Sequence, residues 1–259
     1  EKAVYLTYRI RRPRGVAPDR GGEARIARST DFRNFEDLWT VHKDQFATAS
    51  IERCAIRQGR DGQWRYFVCG VDPADGRWCV SLIKAPSVPQ LDPAKAARLF
   101  SASPLGLEGI KDPWIIEHAG VYWMLLSVAV RTPKTREDSH STLDIFNTGE
   151  CVSATGLALS SDLDHWEWQG VVFAPPASGW DSYCRRINSV VPYGGEFFAF
   201  YDGSASHAEN YEEKTGLAVS SDLRAWRCLT PDAPALTSPH ASRSLRYLDA
   251  QAVGNQLLL

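Results

Sequence analysis

The chain has 259 residues, 44% of them hydrophobic and 11% aromatic, with a formal net charge of −2. This is ample apolar material for one all-β domain, a class that often runs past the usual single-domain length. The near-neutral charge gives no global pull toward nucleic acid or a membrane surface, and no apolar run is long enough to span a bilayer as a helix.

In chain order, the alternation of VYLTYRI makes residues 4–10 a strand. The following loop, 11–22, carries Arg11, Arg12, Arg14 and Arg20, and leads to strands at 25–28 and 38–42. Residues 50–58 open a second unit, turned at Asp61-Gly62 and continued by strands at 64–71 and 77–84. Hairpins are expected at 114–130 around His118-Ala119-Gly120, and at 187–201 around Tyr193-Gly194-Gly195. Cys54, Cys69, Cys79, Cys151, Cys184 and Cys228 show no zinc spacing, although a hairpin pairing Val71 with Arg77 would set Cys69 opposite Cys79.

A repeat organises these elements. Residues 155–166 read TGLALSSDLDHW, residues 215–226 read TGLAVSSDLRAW, and residues 24–35 (ARIARSTDFRNF) are a looser copy. Each copy is an alternating strand, a Ser-x-Asp turn and an aromatic that opens the next strand. With the preceding hairpin, each period makes a four-stranded unit, and such units repeated radially make a β-propeller rather than a β-sandwich. Equivalent first-strand positions Glu52, Asp112, Arg185 and Arg246 are 60, 73 and 61 residues apart. The expectation is therefore a single all-β domain, a five-bladed propeller of four-stranded antiparallel blades. Its blades span 1–45, 50–100, 109–175, 181–230 and 244–259, the first and last partial, so that the fold reads as incomplete at both termini.

The long loops 11–22, 131–151 and 203–214 would then open on one face, where the first strands begin. Those beginnings are charged: Glu52-Arg53, Lys111-Asp112-Pro113, Asp181 with Arg185-Arg186, and Arg246. Two readings are open. The charges form a ring of ion pairs closing the pore, or they line a polar pocket whose carboxylates do acid/base work on a glycosidic bond.

Lys111-Asp112-Pro113 opening a strand, the Ser-x-Asp-Leu-x-x-Trp hairpins and the blade count resemble the five-bladed propeller glycoside hydrolases of families 43, 32, 68 and 117 and the related family 130 phosphorylases. The resemblance implies an enzyme acting on a glycosidic bond, by hydrolysis or with inorganic phosphate, and a carbohydrate partner. It makes Asp112 the match of the Asp that tunes the acid, with Glu52 and Asp181 the other catalytic candidates. Arg9, Arg53, Lys111, Arg185, Arg186 and Arg246 suggest an anionic group on the substrate, and Tyr8, Trp114, Tyr183 and Asp202 complete the substrate-binding candidates, with Trp180 a further stacking candidate. No cofactor is implied, although relatives sometimes hold calcium in the pore. The alternative from another class is a non-catalytic propeller that binds carbohydrate or a partner.

Overall fold

The computed structural model describes residues 3–11, 22–142, 144–253 and 256–259. Among these residues there is no α-helix; the chain is built from strands joined by short 3-10 turns. Strands β1 (Val4–Ile10), β2 (Glu23–Ser29) and β3 (Glu36–His42) form a first antiparallel sheet. A second contains β4 (Ala55–Gln58), β5 (Trp64–Val71), β6 (Trp78–Ala85) and β7 (Ala97–Phe100) in simple succession. The third meander is β8 (Gly109–His118), β9 (Val121–Arg131), β10 (Cys151–Ser160) and β11 (Glu167–Phe173), and the fourth is β12 (Cys184–Tyr193), β13 (Glu196–Ser204), β14 (Lys214–Ser220) and β15 (Arg227–Cys228). One parallel pairing, Ser153 to Cys184, joins the third and fourth. A hairpin, β16 (Gln251–Val253) and β17 (Gln256–Leu258), ends the series.

The sheets pack face to face because strand residues alternate between two faces and both faces are apolar. In β5, Tyr66 and Val68 join Ile26, Val41 and Ile83 between the first and second sheets. Their neighbours Phe67 and Cys69 point the other way, against Ile110, Met124 and Leu126 of the third sheet. In β9 the alternation repeats: Leu125 faces away from Met124 and Leu126, into a core with Ile187, Phe197 and Tyr201 of the fourth sheet. Each middle sheet is thus a two-faced wedge between its neighbours.

The Ser-x-Asp turn is built identically in all three copies. Ser29, Ser160 and Ser220 each place the hydroxyl on the Asp two residues on, and that Asp accepts backbone N–H donors from the turn's far side. Phe32, Leu163 and Leu223, next in line, sit at φ of 61°, 69° and 61°. The positive φ is supported by these side-chain bonds and, for the two leucines, by complete burial. Residues 29–34 thus make the same turn as residues 160–165 and 220–225.

Two expectations are corrected. Residues 244–250 form no strand; the chain lies against the fourth sheet through individual bonds, Leu245 N to Glu213 O (3.1 Å), Tyr247 N to Asp202 Oδ1 (2.9 Å) and Ala250 N to Ser189 Oγ (3.1 Å). One backbone carbonyl and two side-chain acceptors replace a ladder until Gln251. In the second sheet Val71 pairs with Trp78, one residue from the expected partner, so Cys79 faces Gly70 and Cys69 faces Val80. All six cysteines are free.

Glycine recurs at the same repeat position, Gly156 and Gly216, because an aromatic ring lies over each: Trp168 on the first and Tyr201 on the second. A methyl group there would collide with a ring locked in a core. Gly156→Ala is expected to destabilise the fold by ~1–3 kcal/mol, measured as a lowered midpoint of urea unfolding, whereas Gly62→Ala, with open space around it, is expected to cost only its backbone strain.

Candidate functional site

The first strands bring charge to a common centre. Glu52 and Arg53 precede β4, Lys111 and Asp112 lie in β8, Arg186 and Asn188 in β12, and Arg246 and Tyr247 in the segment before β16. Arg53 spans from the second sheet to the fourth, donating to Asn188 Oδ1 (3.1 Å) and its carbonyl (2.8 Å), and lies 3.8 Å from Asp249. Arg9, at the end of β1, pairs with Glu52 at 2.6 Å.

Two bulges aim the polar groups inward. The β8–β9 ladder breaks between Lys111 and Trp114, releasing Asp112, which takes φ of 53° just before Pro113. Positive φ in a non-glycine residue is costly, on the order of 1–3 kcal/mol, and here it turns the carboxylate into the centre. Asp112 Oδ1 is buried with no hydrogen-bond partner among the described residues, while Oδ2 lies 3.9 Å from Lys111 Nζ and 3.5 Å from the Tyr247 hydroxyl. The β12–β13 ladder breaks between Ile187 and Ser189, freeing Asn188 to donate to Asp202 Oδ1 at 2.6 Å.

These groups are out of water: Glu52, Lys111, Asp112, Arg186, Asp202 and Glu213 are all buried. Arg186 pairs with Glu213 and lies 3.6 Å from Asp202; Arg246 reaches Glu213 at 2.9 Å. Lys111 Nζ also stands over the rings of Trp78 (4.9 Å) and Phe146 (4.6 Å). Burial alone would raise Glu52, but the charges of Lys111 and Arg9 outweigh it and bring its pKa down to about 2. For Asp202 burial wins over the Arg186 charge, with Glu213 adding to it, and its pKa is raised. Lys111 moves up because Glu52 and Asp112 overcome the cost of its burial.

A small cavity of about 10 Å³ lies among Arg9, Glu52, Lys111, Asp144, Phe146, Arg186, Asn210, Tyr211, Arg246 and Tyr247. Loops 131–151 and 203–214 therefore meet over the first-strand beginnings, as the topology predicts. A step further along the same strands is a chamber of about 380 Å³, bounded by Thr7, Arg53, Ile56, Trp114, Val190 and Asp249 among others.

Of the residues singled out in the sequence, Glu52, Arg9, Lys111, Arg186 and Arg246 line the cavity, and Asp112 and Asp202 stand directly behind its wall. The others are not brought there. Asp181 is drawn to Arg185 Nε (2.7 Å) and the Tyr201 hydroxyl (2.7 Å), and Arg185 is spent on that pair. The Tyr183 hydroxyl donates to Phe146 O, propping the 131–151 loop, and Tyr8 donates to Asp37 at the surface. Trp114 and Arg53 belong to the larger chamber, and Trp180 packs on Tyr201. Arg12, Arg14 and Arg20 lie outside the described residues. The positive surplus expected from sequence is met by Asp202, itself among the residues singled out, and by Glu213 and Asp144, whose approach depends on loops and has no local signature.

Nucleophilic thiol chemistry has no support here, since burial pushes Cys54 up to about 11 and Cys184 to about 12. Among the described residues no group of three or more His, Cys, Asp or Glu side chains is arranged to hold a metal ion.

Glu52 also sets a pH dependence. Its folded pKa lies below that of an unfolded glutamate, about 4.3, so its ion pairing contributes stability at pH above 4.3 that is lost as pH falls toward about 2. In thermal unfolding between pH 6 and 2.5, Glu52→Gln is expected to lose less of its midpoint than the parent chain does.

No protein-family model matches the chain, and no curated protein does. Solved structures do. A beta-1,2-mannobiose phosphorylase from Listeria innocua, in complex with beta-1,2-mannobiose, superposes with TM-score 0.62 at 16% identity, over 92% of this chain and 62% of that one. A thermostable family-43 glycoside hydrolase gives 0.64 at 12% identity, over 90% and 74%. An alpha-L-arabinofuranosidase from Lactobacillus brevis gives 0.59 at 14%, over 91% and 71%. The chain thus spans about three fifths to three quarters of the length of these proteins, and at such identities the likeness is one of fold: the fold of glycoside hydrolases and of a glycoside phosphorylase, as the resemblance read from the sequence implies.

Proposed function

We propose that the chain is the five-bladed propeller of an enzyme that cleaves glycosidic bonds at the axial cluster. The observation that carries this reading is the convergence of buried carboxylates and cations from four successive sheets on one cavity, at the mouth where the long loops meet. Cleavage needs one carboxyl that donates a proton to the leaving oxygen and one ionised group on the other side of the bond. The environments push two acids apart in this sense. Glu52 is held ionised by Lys111 and Arg9, suited to act as base, as nucleophile or on an attacking group. Asp202 is held toward its protonated form by burial, and Tyr247 connects it to Asp112, its backbone N–H on Asp202 and its hydroxyl near Asp112. Asp112 orients and tunes rather than attacks in this reading.

Sugar entry requires displacement of side chains, because a cavity of about 10 Å³ holds about one water. Asp144 and Tyr211, which reach it from the two long loops and hydrogen-bond each other at 2.7 Å, are the groups to be moved. An anionic substituent, or inorganic phosphate in a phosphorolytic reaction, would in addition have to compete with Glu213 for Arg186 and Arg246.

A second reading, a non-catalytic carbohydrate-binding or partner-binding propeller, is favoured by one feature: Glu52 and Glu213 are each closed on an arginine in the enclosed site. Assay of aryl glycosides with and without inorganic phosphate separates the readings. The enzyme reading expects release of the aryl group, with a sugar phosphate as second product if phosphate is required, and a loss of about 10²- to 10⁴-fold in Glu52→Gln and Asp202→Asn variants that keep a cooperative unfolding transition. Equal rates in those variants would exclude the assignment of roles, and no turnover on any glycoside would favour the binding module.

A further inference from the structure

A second site lies on the other side of the 203–214 loop. Asn210 and Tyr211 of that loop face the axial cavity, whereas Glu209 and Lys214 border a hollow of about 210 Å³ whose remaining walls are Trp180, Ala205, Pro234, Thr237 and Arg243. Three features make it a built site rather than a surface dent.

Its aromatic wall is rigid. The Trp180 indole stacks on Tyr201 at 5.8 Å and 24°, donates Nε1 to Thr230 O at 2.7 Å, and lies over Gly203, where a Cβ would collide with the ring. An indole locked in this way loses little entropy when something stacks on it. Its cation is unspent. Among the described residues the Arg243 side chain makes no hydrogen bond or ion pair, and its backbone is held at φ of 56° by a turn in which Arg243 N donates to His240 O and Ser238 N to Arg243 O. Finally, its rim offers hydroxyl partners of both kinds, the Glu209 carboxylate and Lys214 ammonium, 3.2 Å apart, and Thr237 lines the same hollow.

We propose that this hollow binds one residue of an acidic carbohydrate, a uronate, apart from the axial site. The apolar face of a pyranose stacks on the indole and Pro234, its hydroxyls exchange with the Glu209–Lys214 pair, and its carboxylate takes the two-point fork that Arg243 presents. The volume suits a single ring; sites for larger ligands run from about 300 Å³ upward. The unpaired guanidinium selects the charged sugar over its neutral counterpart, which has no carboxylate to accept the charge-assisted bond.

Titration calorimetry of the full chain with trigalacturonate and with its carboxyl-reduced, neutral counterpart tests the assignment. Binding of the trigalacturonate is expected, weakened at least 10-fold for the neutral trisaccharide, for Arg243→Gln and for Trp180→Phe, and unchanged in Glu52→Gln. Arg243 is exposed, so Arg243→Gln is expected to unfold at the parent temperature, which keeps the test clear of a folding defect. Absence of trigalacturonate binding, equal affinity for the neutral sugar, or unchanged affinity in Arg243→Gln would each overturn the proposal. Binding lost in Glu52→Gln but kept in Arg243→Gln would place the ligand in the axial site instead.

Discussion

The structure depends on mutual neutralisation of charges that have been removed from water at its centre. Glu52, Lys111, Asp112, Arg186, Asp202 and Glu213 are all buried, and an isolated charge in such a place would be strongly destabilising. Each is tolerated because an opposite charge lies beside it: Arg9 from the first sheet reaches Glu52 of the second, Lys111 of the third lies 3.9 Å from Asp112 and its charge acts on Glu52, and Arg186 and Arg246 share Glu213. The cluster therefore ties together elements distant in sequence that the apolar cores join only pairwise. It also supplies what a reacting centre needs, carboxyls whose environments differ. Burial wins at Asp202 and ion pairing wins at Glu52.

The apolar layers set the frame for that cluster. With Tyr66 and Phe67, or Met124 and Leu125, facing opposite ways along a single strand, every middle sheet is held on two sides, and the first strands have one direction left to point. Bulges at Asp112 and Asn188 then take residues out of the ladder and aim them at the centre. The ladders bulge elsewhere too, at Ala27, Ser81 and Gly156, but at Asp112 and Asn188 the released residue carries a polar group toward the buried charges.

Much of this was legible in the sequence. The Ser-x-Asp repeats located three turns that the structure builds alike, and the first-strand spacing pointed to Glu52, Asp112 and Arg246, whereas at the fourth strand it fell on Arg185 and the residue in the cluster is its neighbour Arg186. What escaped did so for physical reasons. Asp181 reads as a neighbour of Arg185, yet that neighbour captures it and turns it from the cavity. Residues 244–250 have strand composition but dock on Glu213, Asp202 and Ser189 through separate bonds. Asp144, Phe146, Asn210 and Tyr211 come from loops whose paths no periodicity encodes, and the Cys69 register turned on a single residue at the 72–77 turn.

The claim at the centre of this account is that the axial cluster engages the reacting part of a glycoside. Its most direct measurement is the binding of a panel of iminosugars, which carry the positive charge that develops at the sugar ring during cleavage, to the chain and to Glu52→Gln. The account predicts that at least one iminosugar binds the chain and that replacing the ionised Glu52 weakens it 10-fold or more, with affinity in the parent falling as pH drops toward the low pKa of that carboxylate. Iminosugar binding indifferent to Glu52, or none across the panel, would contradict it and leave the buried charges a purely structural clasp.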